Sequence, residues 1–378
     1  MSIADKLQYT LNAKNAIKDA LVAKGAITGT EPFDEYAGAI AEIKGKWDDY
    51  IGTDCKWTGD VLLPSSVTSV GSNAFSGCTD LISITIPNSV ESMGDAAFYG
   101  CTNLTNITIP DSVTSIGEDA FSYCTNVHTV ICQPTMPPNL GSAAFSNTHA
   151  NLKIYVPNAS VDAYKSATNW ITYADRIEGF GDKVVIIPEG TTEIPVKAYY
   201  NNKIIVAVVV PNSVISIGNF AFYDCSYLTV INIPNGVTTI GQQAFSHCGS
   251  LRNIHIPDSV TSIGSYTFEV CGNLINANIP SSIGTIPSSM FQFCKKITKI
   301  AIPESVSKIN NQAFQGCSSL TTVICKAKTP PTLGTTSFDS TPETMKIYVT
   351  DASVDAYKAA TNWVAYADKI LPLSQLPT

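Results

Sequence analysis

Charge is scarce in this 378-residue chain: Lys, Arg, Asp and Glu make up 14% of it, against 44% hydrophobic residues. A chain this apolar can bury a large core, which excludes global disorder. The few charges sum to −8, so no general attraction to phosphate backbones exists and no nucleic-acid partner is expected. Long apolar runs are missing too. No stretch reaches the roughly 18 residues needed to span a bilayer, so no membrane insertion is expected. The N-terminus lacks a basic segment followed by an apolar one, so no signal peptide is seen. The expected location is virion-associated, or a cell surface with a leader missing from this sequence; the cytoplasm stays open.

Catalytic signatures are absent as well. There is no G-x-S-x-G, P-loop, G-x-G-x-x-G or H-E-x-x-H. The four histidines, His128, His149, His247 and His255, do not pair with Cys or carboxylates at ligand spacing. The eleven cysteines include no C-x-x-C pair. No catalytic site, metal or cofactor is therefore expected. One enzymatic alternative stays open: a scaffold that assembles a weak polysaccharide-hydrolase carboxylate pair in three dimensions.

What the sequence does have is a period. Pro64, Pro87 and Pro110 are 23 residues apart, as are Pro188, Pro211, Pro234, Pro257, Pro280 and Pro303. An aromatic follows each Pro by eleven residues, from Phe75 to Phe314, and a Cys follows most by fourteen, from Cys78 to Cys317. The unit at Pro188 is degenerate, with Asn202 in the Cys place. Leu104, Ile107 and Ile109 have the L-x-x-L-x-L spacing of a leucine-rich-repeat strand. Stacked units make a parallel sheet at roughly 4.8 Å per neighbour. Val113 and Ile116 read as a shorter opposite strand, Gly117 as a tight corner, and Ala120, Phe121 and Cys124 as a turn of helix closing the coil. A Cys at one fixed rung position reads as a buried ladder of small hydrophobes. Disulfides between adjacent rungs are the alternative, with Cys55, before the first repeat, the thiol to watch.

Ile109, Pro110, Val113, Ile116, Gly117, Ala120, Phe121, Cys124 and Val127 match, position by position, I-P-x-x-V-x-x-I-G-x-x-A-F-x-x-C-x-x-L. The chain thus resembles the BspA-like (treponemal-type) leucine-rich-repeat family over about residues 60–375. Pro195, Pro287 and Asn310 depart from the corner Gly. The resemblance implies adhesin-like roles toward host proteins or cell surfaces.

Residues 153–177 recur almost unchanged at 346–370, an offset of 193 that also carries Pro110 to Pro303 and Cys132 to Cys325. Each copy follows the last repeat of an array, where a solenoid needs a cap. Short cap helices are expected over 160–169 and 353–362, with Trp170 and Trp363 covering the open ends and a linker over 178–183. Residues 1–46 do not repeat. Ile3, Leu7, Leu11, Ile17 and Leu21 recur at helical spacing up to Gly25, and Pro32 opens a second helix with Phe33, Tyr36, Ile40 and Ile43 on one side. Segments 11–25 and 33–40 are similar to N-terminal regions of phage and prophage tail-associated proteins, which implies attachment to a virion or tail protein through residues 1–46.

The fold class expected is an α/β repeat solenoid: two BspA-like leucine-rich-repeat arrays of 23-residue repeats, each ended by a helical cap, plus an N-terminal helical hairpin. The domains expected are 1–46 (attachment or oligomerisation), 47–180 and 181–378. Outward strand positions change between copies while core positions hardly do. Thr105, Asn106, Thr108, Arg252, Asn253, His255, Asn276, Asn278, Thr298 and Lys299 are therefore expected to form one contiguous polar face, with a basic spot at Arg252, His255 and Lys299. Hydroxyl and amide groups of this kind suit a cell-surface protein or glycan. The function expected is non-enzymatic binding or adhesion, as a phage tail-associated receptor-binding protein or as a bacterial adhesin for host matrix proteins.

Overall fold

Each 23-residue unit takes the chain once around a solenoid with three walls, described here from a computed structural model over residues 59–63 and 66–377. The hairpin expected over 1–46, and Cys55, lie outside the described residues. The chain divides into two compact units between Phe180 and Gly181. In the first, the long-strand wall holds Gly59–Leu62 paired with Leu81–Thr85, then Asn106–Ile109, Thr129–Cys132, Lys153–Val156 and Ile177–Gly179 in parallel register. The short-strand wall runs Ser69–Val70, Ser92–Met93, Ser115–Ile116 and Asn139–Leu140. The second unit repeats this plan, its long-strand wall broken into three sheets.

The repeat motif explains the corners. Pro110 ends a strand because it has no N–H for the ladder. Its carbonyl then accepts the Val113 N–H, and the intervening Ser112 hydroxyl donates back to Val90 O at 2.6 Å. Ser89, Ser213, Ser259, Ser282 and Ser305 clamp their preceding units in the same way. The corner glycine is needed for close approach. A Cβ on Gly117 would lie 2.4 Å from Asp95 N and Gly94 C. Pro195 escapes this constraint because it sits on the first rung of its array.

The third wall is where the sequence reading needs correction. Ala120, Phe121 and Cys124 do not form a helical turn; the segment is a run of β-turns. The cause is a left-handed residue on either side of the core aromatics from Phe75 to Phe314, such as Asp119 (φ 52°) and Tyr123 (φ 61°) around Phe121, while Phe338 has Ser340 alone. That geometry breaks the helical pattern and frees three N–H groups per rung. Asp119, Phe121 and Tyr123 donate to Ser142, Ala144 and Ser146 of the next rung, and every rung of this wall hands its N–H groups forward in the same direction.

Inside, the aromatics stack into a spine. Phe75, Phe98, Phe121 and Phe145 lie 5.0–5.4 Å apart with planes within 2°. Tyr199, Phe222, Phe245, Phe268, Phe291, Phe314 and Phe338 continue the pattern in the second unit. The cysteines line the core beside this spine and do more than fill space. Cys124 Sγ donates to Phe98 O at 3.0 Å, and Cys101, Cys225, Cys248, Cys271, Cys294 and Cys317 make the same bond one rung apart. Cys78 is disulfide-bonded. The remaining described cysteines are free, so no disulfide links adjacent rungs among them. Burial pushes the thiols of Cys132, Cys271 and Cys317 up to about 12.

Both arrays end in the same device. Helices Val161–Ser166 and Val354–Ala359 are shorter than expected because Ala167 and Ala360 turn extended (ψ 149° and 147°), after which Asn169 and Asn362 turn left-handed (φ 63° and 65°) and start 3-10 helices at Trp170 and Trp363. Both tryptophans are fully buried. Trp170 Nε1 donates to Pro138 O at 2.8 Å, Tyr164 Oη to Pro134 O at 2.8 Å, and Asn169 Nδ2 to Leu140 O at 2.6 Å. Trp363, Tyr357 and Asn362 do the same for Pro331, Ala327 and Leu333. The last rung's forward-pointing N–H also finds its acceptor: Phe145 N donates to Tyr173 Oη at 3.1 Å.

Candidate functional site

The ten outward strand residues divide between the two units. Thr105, Asn106 and Thr108 belong to the first unit and are half-buried; the other seven belong to the second. Within the second unit, Asn253 and Asn276 pair across adjacent strands, and Asn276 Nδ2 donates to Asn253 Oδ1 at 2.8 Å. Arg252, Thr298 and Lys299 are exposed around this amide pair, and His255 is half-buried beside it. Near each cap the outward positions turn apolar and buried, at Ile131 and Tyr155 in one unit and Ile324 and Tyr348 in the other. The polar face therefore stops short of the array ends.

Asn278 is tied into the fold by two hydrogen bonds. Its Nδ2 donates to Ile256 O and its Oδ1 accepts from Ile256 N, both at 2.7 Å. The carboxamide stands in for a peptide group where the regular pairing ends at Ile254 and Ala277, and it has little left to offer a ligand. Asn278→Ala should cost about 1–3 kcal/mol, the usual penalty for orphaned polar groups. Ligand affinity should stay unchanged. Urea titration beside a binding curve checks both, and a large affinity loss at unchanged stability would refute the structural duty.

The turn wall carries aromatics that the sequence reading passed over. Tyr99 and Tyr123 of the first unit are exposed and lie 5.3 Å apart, tilted by 50°. In the second unit, Tyr200 and Tyr223 stack at 5.0 Å and 9°, with Phe220 and His247 against Tyr223 and Lys197 Nζ 5.5 Å above the Tyr200 ring. The signal available in sequence was the doubled aromatic: Phe98 with Tyr99, Tyr199 with Tyr200, Phe222 with Tyr223.

One Ser–His–Glu contact needs a chemical reading. Ser246 Oγ lies 2.9 Å from His247 Nδ1 and donates to Glu269 Oε2 at 3.0 Å. Its single proton is thus committed to the carboxylate, so His247 acts as donor to the serine oxygen and cannot be its base. Ser246 is also fully buried. The contact ties two rungs together and offers no nucleophile. Among the described residues no group of three or more His, Cys, Asp or Glu side chains is placed to hold a metal ion. Among them, too, no helix is long and apolar enough to cross a membrane.

Comparison with known proteins bears on this geometry. The sequence pattern of the BspA-type leucine-rich-repeat region matches in six copies, over residues 49–168 and 192–321. Among solved structures, the chain is similar to a leucine-rich-repeat protein of T. pallidum, with 31% identity over 40% of this chain and 73% of that one, at a TM-score of 0.38. It is also similar to a leucine-rich cell surface protein of Faecalibacterium prausnitzii (22% identity, 81% and 91% of the two chains, TM-score 0.36). A leucine-rich-repeat protein of Bacteroides ovatus gives 20% identity over 83% and 91%, at a TM-score of 0.31. No curated protein sequence matches the chain.

Proposed function

Because the chain belongs to the BspA-type leucine-rich-repeat family, we propose that it is a non-enzymatic adhesion protein whose long-strand face in the second unit grips a polar cell-surface ligand, protein or glycan. The observation carrying this is the Asn253–Asn276 amide pair with exposed Arg252, Thr298 and Lys299 around it. The core beneath repeats nearly unchanged while these outward residues differ rung by rung. A fixed scaffold with a variable polar face suits recognition. In this reading residues 1–46 attach the molecule to its carrier, a virion or tail protein in the phage version.

The test is binding of the full chain to intact bacteria, compared with immobilised mammalian matrix proteins. Replacing Arg252, Thr298 and Lys299 together by Ser, Ala and Ser should weaken binding at least tenfold, since one interfacial anchor is worth about 1–2 kcal/mol. Bacterial binding favours the tail-protein version, and matrix binding alone favours a surface adhesin. Full affinity in the triple variant would remove the strand face from the function.

A further inference from the structure

Tyr123 holds a left-handed position that recurs in the turn wall, at Asn147, Asn201, Asp224, His247, Val270 and Phe293 among others. Its φ is +61°, a left-handed conformation that disfavours bulky side chains. The two preceding rungs place Gly77 and Gly100 in the same column, both with positive φ. A Cβ built on Gly77 meets nothing within 4 Å, and one on Gly100 meets only the Gly77 backbone, at 3.9 Å. Those rungs thus form a bare floor, and the Tyr123 ring rises at its end. Tyr99 stands beside it, and the two rings are 38% and 48% exposed. Their 50° tilt leaves their faces uncovered by each other. The Tyr200–Tyr223 stack differs, because Lys197 lies over the Tyr200 ring and the Tyr223 ring stacks on it.

Ser122 lies beneath the step. It precedes Tyr123 in sequence and lies one rung beyond Tyr99 in register, so both rings flank it. It is 1% exposed, and its hydroxyl has no hydrogen-bond partner among the described residues. Charge narrows the ligand. Residues 59–152 hold seven carboxylates and no Lys or Arg, so an anionic ligand is repelled.

We propose that the step formed by Gly77, Gly100, Tyr99 and Tyr123 is a subsite for a neutral pyranose sugar. The C–H face of the sugar packs on the negative face of a tyrosine ring. A protein hot spot of the usual kind would sit within a wider apolar core. Here the neighbouring Ser76, Thr79, Thr125 and Asn147 are polar. The site is independent of the strand face in the second unit.

Saturation-transfer NMR on the full chain tests it, irradiating tyrosine ring protons in the presence of cellobiose, maltose, lactose or N,N′-diacetylchitobiose, with sialyllactose as the anionic counterpart. At least one neutral sugar should receive magnetisation on its ring C–H protons, and sialyllactose should receive far less. Tyr123→Gly, which restores the residue of the two preceding rungs and therefore keeps the fold, should reduce the signal at least tenfold. Tyr123→Trp should retain it, and Tyr99→Ala should weaken it. The strand-face triple variant should leave it untouched, so failure here is separable from failure there. The proposal is overturned by silence from all four neutral sugars, by a signal indifferent to Tyr123→Gly, or by equal transfer to sialyllactose.

Discussion

Trp363→Ala lowers the stability of the second unit by about 3–5 kcal/mol, the range for removing a buried aromatic from a packed core. Trp170→Ala should do the same to the first. The loss has two parts. The indole seals the end of the phenylalanine spine, 6.3 Å from Phe338 and edge-on to Tyr357. Its Nε1 also satisfies Pro331 O at 2.7 Å, and alanine leaves that carbonyl in a cavity without a partner. Rungs of a solenoid touch only their neighbours, so the damage should spread from the end. Hydrogen exchange should show amides of residues 314–345 opening before those of residues 214–260. Trp363→Phe, which keeps a ring but no donor, should recover only part of the loss. Uniform opening along the unit, or an unchanged urea midpoint, would refute a capping role.

Alkali should unfold the protein with unusual steepness. Below pH 9.0, the ordinary thiol value, Cys132, Cys271 and Cys317 are neutral whether the chain is folded or not, and pH has no leverage on them. Above 9.0 the unfolded chain releases thiol protons that the folded chain holds until about 12. The unfolded state then binds fewer protons, so stability falls as pH rises through that window. Each such thiol contributes a loss of about 1.4 kcal/mol per pH unit. At pH 11, Cys271 and Cys317 together should take about 5 kcal/mol from the second unit. The buried phenols of Tyr164 and Tyr357, held up first by desolvation, act in the same direction at higher pH. Urea midpoints between pH 8 and 11 measure this, and Cys271→Ala should flatten the slope. A midpoint independent of pH across that range would mean the thiols are not shielded as the structure places them.

The period made much of the fold legible. Ile107, Ile109, Val113, Ile116 and Phe121 fall inward because each recurs at a fixed position, and a stack of identical units needs identical inward residues. The caps were legible because Trp170 and Trp363 break the repeat in the same words twice. The third wall was not. Ala120, Phe121 and Cys124 have the spacing of a helical turn, and only φ distinguishes the β-turn run. Glycine marks those φ values at positions 77, 100 and 316, but Asp119, Phe220 and Val270 adopt them without any compositional sign. The site divided similarly. Outward positions could be counted off, whereas the cross-strand pairing of the Asn253 and Asn276 amides could not. Nor could the folding of the Asn278 amide back onto Ile256, since that depends on where a regular ladder stops.

The forward-pointing N–H groups of the turn wall have an electrical consequence. Peptide dipoles aligned head to tail add, as they do along a helix. Here, within the turn wall, they add along the stacking axis instead of along the chain, while N–H groups of the other two walls, such as those of Thr114, Gly117 and Gln133, point back toward the first rung. The N–H ends of the turn wall face the cap, which makes the cap end of that wall positive and its first rung negative. An α-helix has the opposite order, its positive pole at the start. The phenol oxygen of Tyr173 receives the Phe145 N–H at that positive pole, where a lone pair terminates the field that every preceding rung has helped to build.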